Sequence, residues 1–404
     1  MRSRPALVPL LIVTSLVFYD PAKIVAQKSD RAVQDSLDQA LEKEMMEALS
    51  GTDTSFQMTG STSRSGSSTN PRISVIGSFL SSGTSNNATA KTVDLGLSEA
   101  EISFQSYVDP YAKADFFVGF GRAVEDPFTG PDKGAAKSGD YEADLEEAYL
   151  TTLSMPFALQ LKVGKFRGDF GKINQYHPHG LGYADLPRMY VNYLGEEGLA
   201  DRGVGLSWLV PNPLGFYQEL NVEITSGALD NPSFGGSSDN LLYLGHLKNF
   251  FDVSDHTTLE LGLTGMQGAN GDEGRKTKIG SGDLTLKWKP LRENRYRSLE
   301  WTTEALFSHR SDSAKTVKSV AFYTFLNYQI AKRWFLGGRY DYSQFPDNSK
   351  DSEKAYSGIL GFYATEFQKL ELQYQRGFPA GRKAFNRILA RLVFVIGAHG
   401  AHQY

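Results

Sequence analysis

The chain has 404 residues, of which 40% are hydrophobic and 22% are charged, and its formal net charge is −4. A mean hydropathy of −0.34 argues against a bundle of membrane-spanning helices, since each span needs about 20 consecutive apolar residues. The absence of cysteine excludes disulfides, thiolate metal sites and cysteine nucleophiles, and the lack of a basic excess argues against nucleic acid as a partner.

Residues 1–26 are predicted to be an export signal peptide. Arg2 and Arg4 precede an apolar stretch, residues 6–18, that is too short to cross a bilayer, and Ala26 is a small residue at a plausible cleavage point. A buried N-terminal helix is the alternative. Export would take the chain from the cytoplasm into the periplasm. A chain without cysteine avoids stray oxidation in that oxidising compartment.

Residues 27–50 are predicted to form a short periplasmic helix. Val33, Leu37, Leu41 and Met45 recur at intervals of four, with polar residues between them. This helix would either pack on itself in an oligomer or act as a solvated spacer. Residues 51–71 are rich in Gly, Ser and Thr, which is the composition of a linker.

From residue 72 to residue 404 the chain is predicted to be one β-barrel domain. Short segments alternate apolar and polar side chains, as in Leu259, Leu261 and Leu263 against Glu260 and Thr264. Long polar connectors alternate with tight ones, a layout typical of an outer-membrane barrel. The sixteen candidate strands are residues 72–80, 95–108, 111–122, 144–154, 159–167, 203–210, 217–226, 241–251, 257–268, 279–289, 299–309, 317–330, 334–345, 354–364, 368–377 and 386–397.

The predicted fold class is therefore an all-β transmembrane barrel of about 16 antiparallel strands, in a cell outer membrane of the Gram-negative type. A soluble β-sandwich or a lipocalin-like barrel is the alternative, but these folds usually end well short of this length. In the last strand Leu392, Phe394 and Ile396 share one face with the terminal Tyr404. A terminal aromatic residue in that register fits insertion into an outer membrane.

If the apolar face meets lipid, the polar face lines a water-filled lumen. Acids and bases on that face would set ion preference, or they would pair across strands and only stabilise the wall. The predicted lumen-wall residues are Lys113, Asp115, Lys162, Glu219, Glu223, Glu300, Glu304, Arg339 and Asp341.

Residues 167–202 form the longest connector, which strand counting makes the third external loop. Loops of more than about 15 residues are uncommon unless they are functional. We expect this loop to fold into the lumen as a constriction; a loop over the rim or at a subunit contact is the alternative. The predicted constriction residues are Lys172, His177, His179, Asp185, Arg188, Glu196, Glu197, Asp201 and Arg202.

His177 and His179 with Glu196 and Glu197 could instead bind zinc, because imidazole and carboxylate are zinc ligands. The H-P-H spacing is a weak signal, so no metal or cofactor is assigned. The C-terminal pair His399 and His402 could likewise bind a metal. The chain contains no G-x-S-x-G, H-E-x-x-H or phosphate-loop motif, and we predict no catalytic residue and no enzyme.

One region resembles a known family. The G-K-F sequence at 164–166, Phe170-Gly171, residues 185–188 (DLPR) and the D-R-G-V sequence at 201–204 resemble the phosphate-selective porin O and P family. The resemblance covers roughly residues 145–210 and implies a sixteen-stranded, usually trimeric porin. The basic ladder expected for phosphate transport is absent from the predicted lumen, so phosphate specificity is not carried over.

Together these features predict an outer-membrane porin, a homotrimer in lipid, through which small hydrophilic solutes or ions diffuse past residues 167–202. Lys172, Arg188, Glu196 and Glu197 would set its selectivity. The alternative function is a plugged barrel that acts as a surface binding or anchoring protein, with a zinc site at its histidines.

Overall fold

The computed structural model describes residues 71–86, 88–89, 92–122, 124–130, 141–229, 231–235, 240–271, 274–312 and 315–397. The predicted signal peptide, the predicted helix at 27–50, all of the predicted linker but Pro71, the candidate metal ligands His399 and His402, and Tyr404 lie outside the described residues.

Sixteen antiparallel strands form a closed barrel, which confirms the predicted fold class. Each strand pairs with its neighbours along the chain, and β1 pairs with β16 to close the ring. The strands are β1 (Arg72–Thr84), β2 (Val93–Asp109), β3 (Ala112–Gly121), β4 (Glu142–Thr152), β5 (Leu159–Arg167), β6 (Ala200–Leu209), β7 (Tyr217–Thr225), β8 (Leu242–Ser254), β9 (Thr257–Ala269), β10 (Lys276–Trp288), β11 (Leu299–Ser311), β12 (Thr316–Ala331), β13 (Trp334–Gln344), β14 (Ser352–Thr365), β15 (Gln368–Phe378) and β16 (Phe385–Gly397).

Successive side chains of each strand point to opposite faces of the wall, because the side-chain period of a strand is two. On β11 Phe307 is 65% exposed, whereas Glu304 is fully buried. On β9 Leu263 is 62% exposed and its neighbour Thr264 is 5% exposed. The outer face is therefore apolar and the inner face polar, as the alternation predicted.

Among the described strands the pairing shifts register at six places; four of these lie at strand ends beside short turns, and two are β-bulges within strands. On β2 the pairing with β1 skips Ser98, so that Leu97 stays on the outer side of the wall while Glu99 turns inward. On β4 the pairing with β3 skips Glu146, which leaves Leu145 exposed outside and Glu147 buried inside. A bulge adds one residue to a strand and so changes the face on which the following residues lie.

The connectors follow the predicted alternation of long and short on most of the ring. Two of them depart from it: the connector of residues 312–315 is short where a long one was predicted, and the connector of residues 289–298 is longer than a tight turn. The longest connector, residues 168–199, carries a 3₁₀ turn at Pro178–Gly180 and the short helix α1 (Arg188–Leu194). Among the described residues, no helix is long and apolar enough to cross a membrane.

Candidate functional site

Residues 168–199, here called the internal loop, lie inside the barrel. Lys172 pairs with Glu260 on β9 at 2.8 Å. Across the ring, the Nη1 atom of Arg391 on β16 donates a hydrogen bond of 2.8 Å to the carbonyl oxygen of Pro178. Side chains on both sides of a closed ring can reach one connector only if that connector crosses the interior.

An apolar cluster fixes the internal loop against one side of the wall. Phe170, Met189, Tyr190 and Tyr193 are at most 1% exposed and pack in one cluster with inward residues of β8 to β14, such as Leu306. Burying a large apolar side chain contributes roughly 1.5–3 kcal/mol. The loop is therefore a packed part of the interior rather than a solvated excursion.

Two tyrosines and one glycine fit the internal loop around Glu304 on β11. The hydroxyls of Tyr190 and Tyr323 donate hydrogen bonds of 2.7 and 2.6 Å to this carboxylate. Gly171 has a φ of +58° and lies so close to Glu304 that a Cβ would collide with the carboxylate. The Phe170-Gly171 sequence thus has a structural reason, since glycine alone combines a left-handed backbone with this approach.

On β13, β15 and β16 the wall presents three cations to the internal loop: Arg339, Lys369 and Arg391, here called the basic wall. Arg339 binds Asp185 of the loop through Nη2 and Oδ1 at 2.8 Å. Lys369 Nζ and Arg391 Nη2 each donate a hydrogen bond of 2.7 Å to the carbonyl oxygen of Leu181. These donors satisfy backbone acceptors that would otherwise be buried without partners.

Asp185 is held as a carboxylate by this environment. Burial raises the pKa of Asp185, but Arg339 and Arg387 outweigh burial, and the net pKa lies below its ordinary value. The amide groups of Gln373 and Gln375 donate further hydrogen bonds of 2.6 Å to its two oxygens.

On β2 and β4 the wall instead presents four carboxylates, here called the acidic wall, and the imidazole of His177 inserts among them. His177 Nδ1 lies 2.8 Å from Glu101 Oε2 and 2.8 Å from Glu146 Oε2. His177 Nε2 lies 2.8 Å from Glu147 Oε1. The four carboxylates are those of Glu99, Glu101, Glu146 and Glu147.

His179 lies beside this group. Its ring stacks on that of His177, with centroids 5.6 Å apart, and its Nδ1 is 3.6 Å from Glu99 Oε1. The prediction that Glu196 and Glu197 are the carboxylates beside these histidines was wrong, because the side chains of Glu196 and Glu197 are exposed. The carboxylates that surround the two histidines come from the strands.

Five of the nine predicted constriction residues are tied to the wall. Lys172, His177, His179 and Asp185 make the contacts described above. Arg188 donates hydrogen bonds of 2.8 Å to Glu353 on β14 and to Asp126 of the connector between β3 and β4.

The other four predicted constriction residues are Glu196, Glu197, Asp201 and Arg202. Glu196 and Glu197 are exposed at the end of the internal loop. Asp201 is buried in β6 and accepts hydrogen bonds from Ser226 and Gly227. Arg202 was misplaced by the prediction: it shares the strand parity of Val204, which is 45% exposed, and so lies on the outer face.

The nine predicted lumen-wall residues all lie at inward register positions. Arg339 and Asp341 pair with each other at 2.9 Å, and Lys113 pairs with Asp115 at 2.7 Å. Glu304 and Glu223 are covered by the internal loop, whose Asp169 N–H donates to Glu223. The remaining three, Lys162, Glu219 and Glu300, keep part of their surface accessible.

Sequence reasoning missed the roles of Glu99, Glu146, Glu353 and Asp126. Glu99 and Glu146 depend on the two bulges, which leave no periodic signal. Glu353 stands next to the predicted start of β14, so a strand boundary two residues earlier would have placed it in the lumen. Asp126 was inside a connector, for which no register could be assigned.

No family model matches the chain. An uncharacterized protein of Aquifex aeolicus (strain VF5) is 33% identical over 303 residues, which are 64% of this chain and 63% of that protein. The match thus spans less than two thirds of that relative.

Several solved structures share the fold. OmpT, an outer membrane protein of Vibrio cholerae in its trimer form, aligns over 81% of this chain and 100% of its own, with 10% identity and a TM-score of 0.52. An anion-selective porin from Comamonas acidovorans aligns over 81% and 100%, with 11% identity and a TM-score of 0.53. OprB of Pseudomonas putida, in a high-pH structure, aligns over 81% and 94%, with 12% identity and a TM-score of 0.53. The chain therefore has a porin-like barrel, while membership of the phosphate-selective porin O and P family stays a prediction.

Proposed function

We propose that the protein is an outer-membrane porin that lets small hydrophilic solutes or ions diffuse through its barrel, past a constriction made by the internal loop. The observation that carries the proposal is the loop itself, which crosses the interior of a closed barrel and binds inward side chains on both sides. The apolar outer face suits lipid, and the polar inner face suits water.

Selectivity would come from charges that the wall has not neutralised. Lys172 and Arg188 are paired with carboxylates, so Glu196 and Glu197, which are exposed at the end of the internal loop, become the better candidates. We propose a homotrimer in outer-membrane lipid, by likeness to the OmpT trimer form. Membership of the phosphate-selective porin O and P family, on the motifs given above, is compatible with this function but not required by it.

The first test is conductance in planar lipid bilayers. Reconstituted full-length protein should give discrete conductance steps, and deletion of residues 177–197 should enlarge each step because the loop no longer obstructs the interior. Steps of unchanged size after the deletion would contradict the constriction. An intact chain that conducts nothing would contradict the porin function.

The absence of cysteine allows a sharper test of the path. Lys162→Cys places a thiol on the inner face, and a charged thiol reagent should then reduce the current. Leu263→Cys on the outer face, where the native side chain is 62% exposed, is the matched control and should leave the current unchanged. Equal effects at both positions would contradict a path through the barrel.

A plugged barrel is the second candidate, and one observation favours it. Five charged or imidazole side chains of the internal loop bind the wall rather than facing free space. A plugged barrel predicts no steps from the intact chain and clear steps from the 177–197 deletion, a pattern that a porin does not give.

A further inference from the structure

The acidic wall and His177 form a group of possible metal ligands at the meeting point of the internal loop with β2 and β4. One donor atom each from Glu99, Glu101, Glu146 and His177 lies within 4.8 Å of every other. The group is assembled from three separate segments of the chain, and two of them reach it through β-bulges. Such a convergence is not a by-product of strand alternation.

The ring of His177 is oriented as in a metal-bound imidazole. Glu147 Oε1 lies 2.8 Å from Nε2, and a carboxylate that accepts the Nε2 proton leaves a lone pair on Nδ1. That lone pair points at Glu101 Oε2 and Glu146 Oε2, each 2.8 Å away. In the neutral imidazole three electron-rich atoms face one another in a buried space, so a cation, either a proton on Nδ1 or a metal ion, must lie among them.

Glu101 gives an independent sign of a missing partner. Its carboxylate is only 1% exposed, and the one described donor near its Oε2 atom is His177 Nδ1 at 2.8 Å, so this oxygen has no hydrogen-bond partner when Nδ1 carries no proton. A buried carboxylate oxygen ordinarily accepts a hydrogen bond or binds a metal ion.

The charges of the group do not balance. Four carboxylates face one guanidinium, that of Arg167, whose Nη2 lies 3.7 Å from Glu146 Oε2. Even if both His177 and His179 carried a proton, the group would keep one net negative charge. Burying like charges at this separation is costly, and a divalent cation would remove the cost.

We propose that Glu99, Glu101, Glu146 and His177 bind one divalent cation of the zinc class, which clamps the internal loop to the wall. One imidazole nitrogen with carboxylate oxygens is a zinc-type donor set, whereas calcium and magnesium take oxygen donors. Glu147 is a positioning residue that holds the His177 ring through Nε2. The proposal does not depend on conduction, because a plugged barrel would bind the same ion.

Zinc titration of the detergent-solubilised full-length chain tests the site directly. His399 and His402 are replaced by glutamine in every sample, so that the C-terminal histidines do not add binding. This background chain and its His256→Gln control, which alters an exposed histidine far along the chain, should each bind one zinc ion. His177→Gln should weaken binding at least 100-fold, and Glu147→Gln should weaken it by about 10- to 100-fold.

X-ray absorption of the zinc-loaded background chain should show a nitrogen and oxygen shell that includes one imidazole. If His177→Gln fails to fold, Glu146→Gln, which keeps the side-chain size, decides the question by its zinc affinity. A background chain that binds neither zinc nor manganese would overturn the proposal and leave a proton as the cation at His177. Binding that survives both His177→Gln and Glu146→Gln would overturn it as well.

Discussion

The basic wall and the acidic wall hold the same loop by opposite means. At the basic wall Arg339, Lys369 and Arg391 come from the strands, and the loop supplies Asp185 and carbonyl oxygens. At the acidic wall the strands supply carboxylates, and the loop supplies an imidazole. The two contacts lie on neighbouring parts of the ring, with only β1 between β16 and β2, and together they hold the loop to that side of the barrel.

The two walls differ in how far their cations and carboxylates neutralise one another. At the basic wall every cation has a carboxylate within reach: Arg339 has Asp185 and Asp341, while Lys369 and Arg391 share Glu371. The acidic wall has more carboxylates than cations. The first contact is complete as a set of protein groups, and the second is complete only with an added cation.

The largest effect is expected from removing a cation at the basic wall. Arg339→Ala leaves Asp185 and the fully buried Asp341 without their guanidinium, and breaking a buried pair from one side costs roughly 3–5 kcal/mol. Denaturant unfolding of the refolded protein should show this loss of free energy of unfolding. Released constraint on the loop should also increase the fluctuation of the current.

Arg376→Ala on β15 is the matched control, since Arg376 contacts Asn386 and lies outside the lumen-facing parity. It should change the free energy of unfolding by no more than about 1 kcal/mol. Equal losses in the two variants would mean that the basic wall is not what anchors the loop.

The barrel could be predicted from the sequence because its two governing signals are local. A two-residue period and turn composition fixed the sixteen strands, and β5 spans Leu159–Arg167 at the predicted residues. The inward positions of Glu304, Arg339 and Asp341 followed from the same period. Each of these inferences needs only the residues of one strand.

The acidic wall could not be predicted in full, because it depends on events that are not periodic. Glu147 lies on the inner face of β4, and Glu146 joins it only through the bulge on that strand. The contact of His177 with β2 and β4 also requires the path of the loop through the interior, which many weak long-range contacts decide together. Arg202 is the opposite case. It was predicted to lie in the constriction, whereas the two-residue period of β6 alone would have placed it on the outer face of the barrel.

An intermediate effect is expected at Glu304 on β11, outside both walls, where the carboxylate is satisfied by neutral donors. Tyr190→Phe removes the 2.7 Å hydrogen bond from the Tyr190 hydroxyl but keeps the ring in the apolar cluster. Hydrogen bonds to charged groups contribute roughly 1.5–3 kcal/mol, and the free energy of unfolding should fall by that amount. Tyr374→Phe, which loses a 2.9 Å bond on an exposed tyrosine, should have almost no effect. A negligible change in Tyr190→Phe would show that Tyr323 alone can satisfy Glu304.

The smallest effect is expected at Lys172, where the loop supplies the cation and the wall the carboxylate. Lys172→Gln removes the 2.8 Å pair with Glu260, but Lys248 Nζ lies 3.8 Å from the same Glu260 oxygen and stays behind as a second cation. The free energy of unfolding should therefore fall by only about 1 kcal/mol, less than for a carboxylate left alone. The double variant Lys172→Gln with Lys248→Gln should lower the free energy of unfolding clearly more than the sum of the two single variants, because Glu260 then loses both of its cations.

Lys165→Gln, which breaks an exposed pair with Asp144, is the control and should be close to neutral. Strict additivity at Lys172 and Lys248 would mean that Glu260 is solvated well enough to need neither lysine, and that the loop is held by the two walls without it.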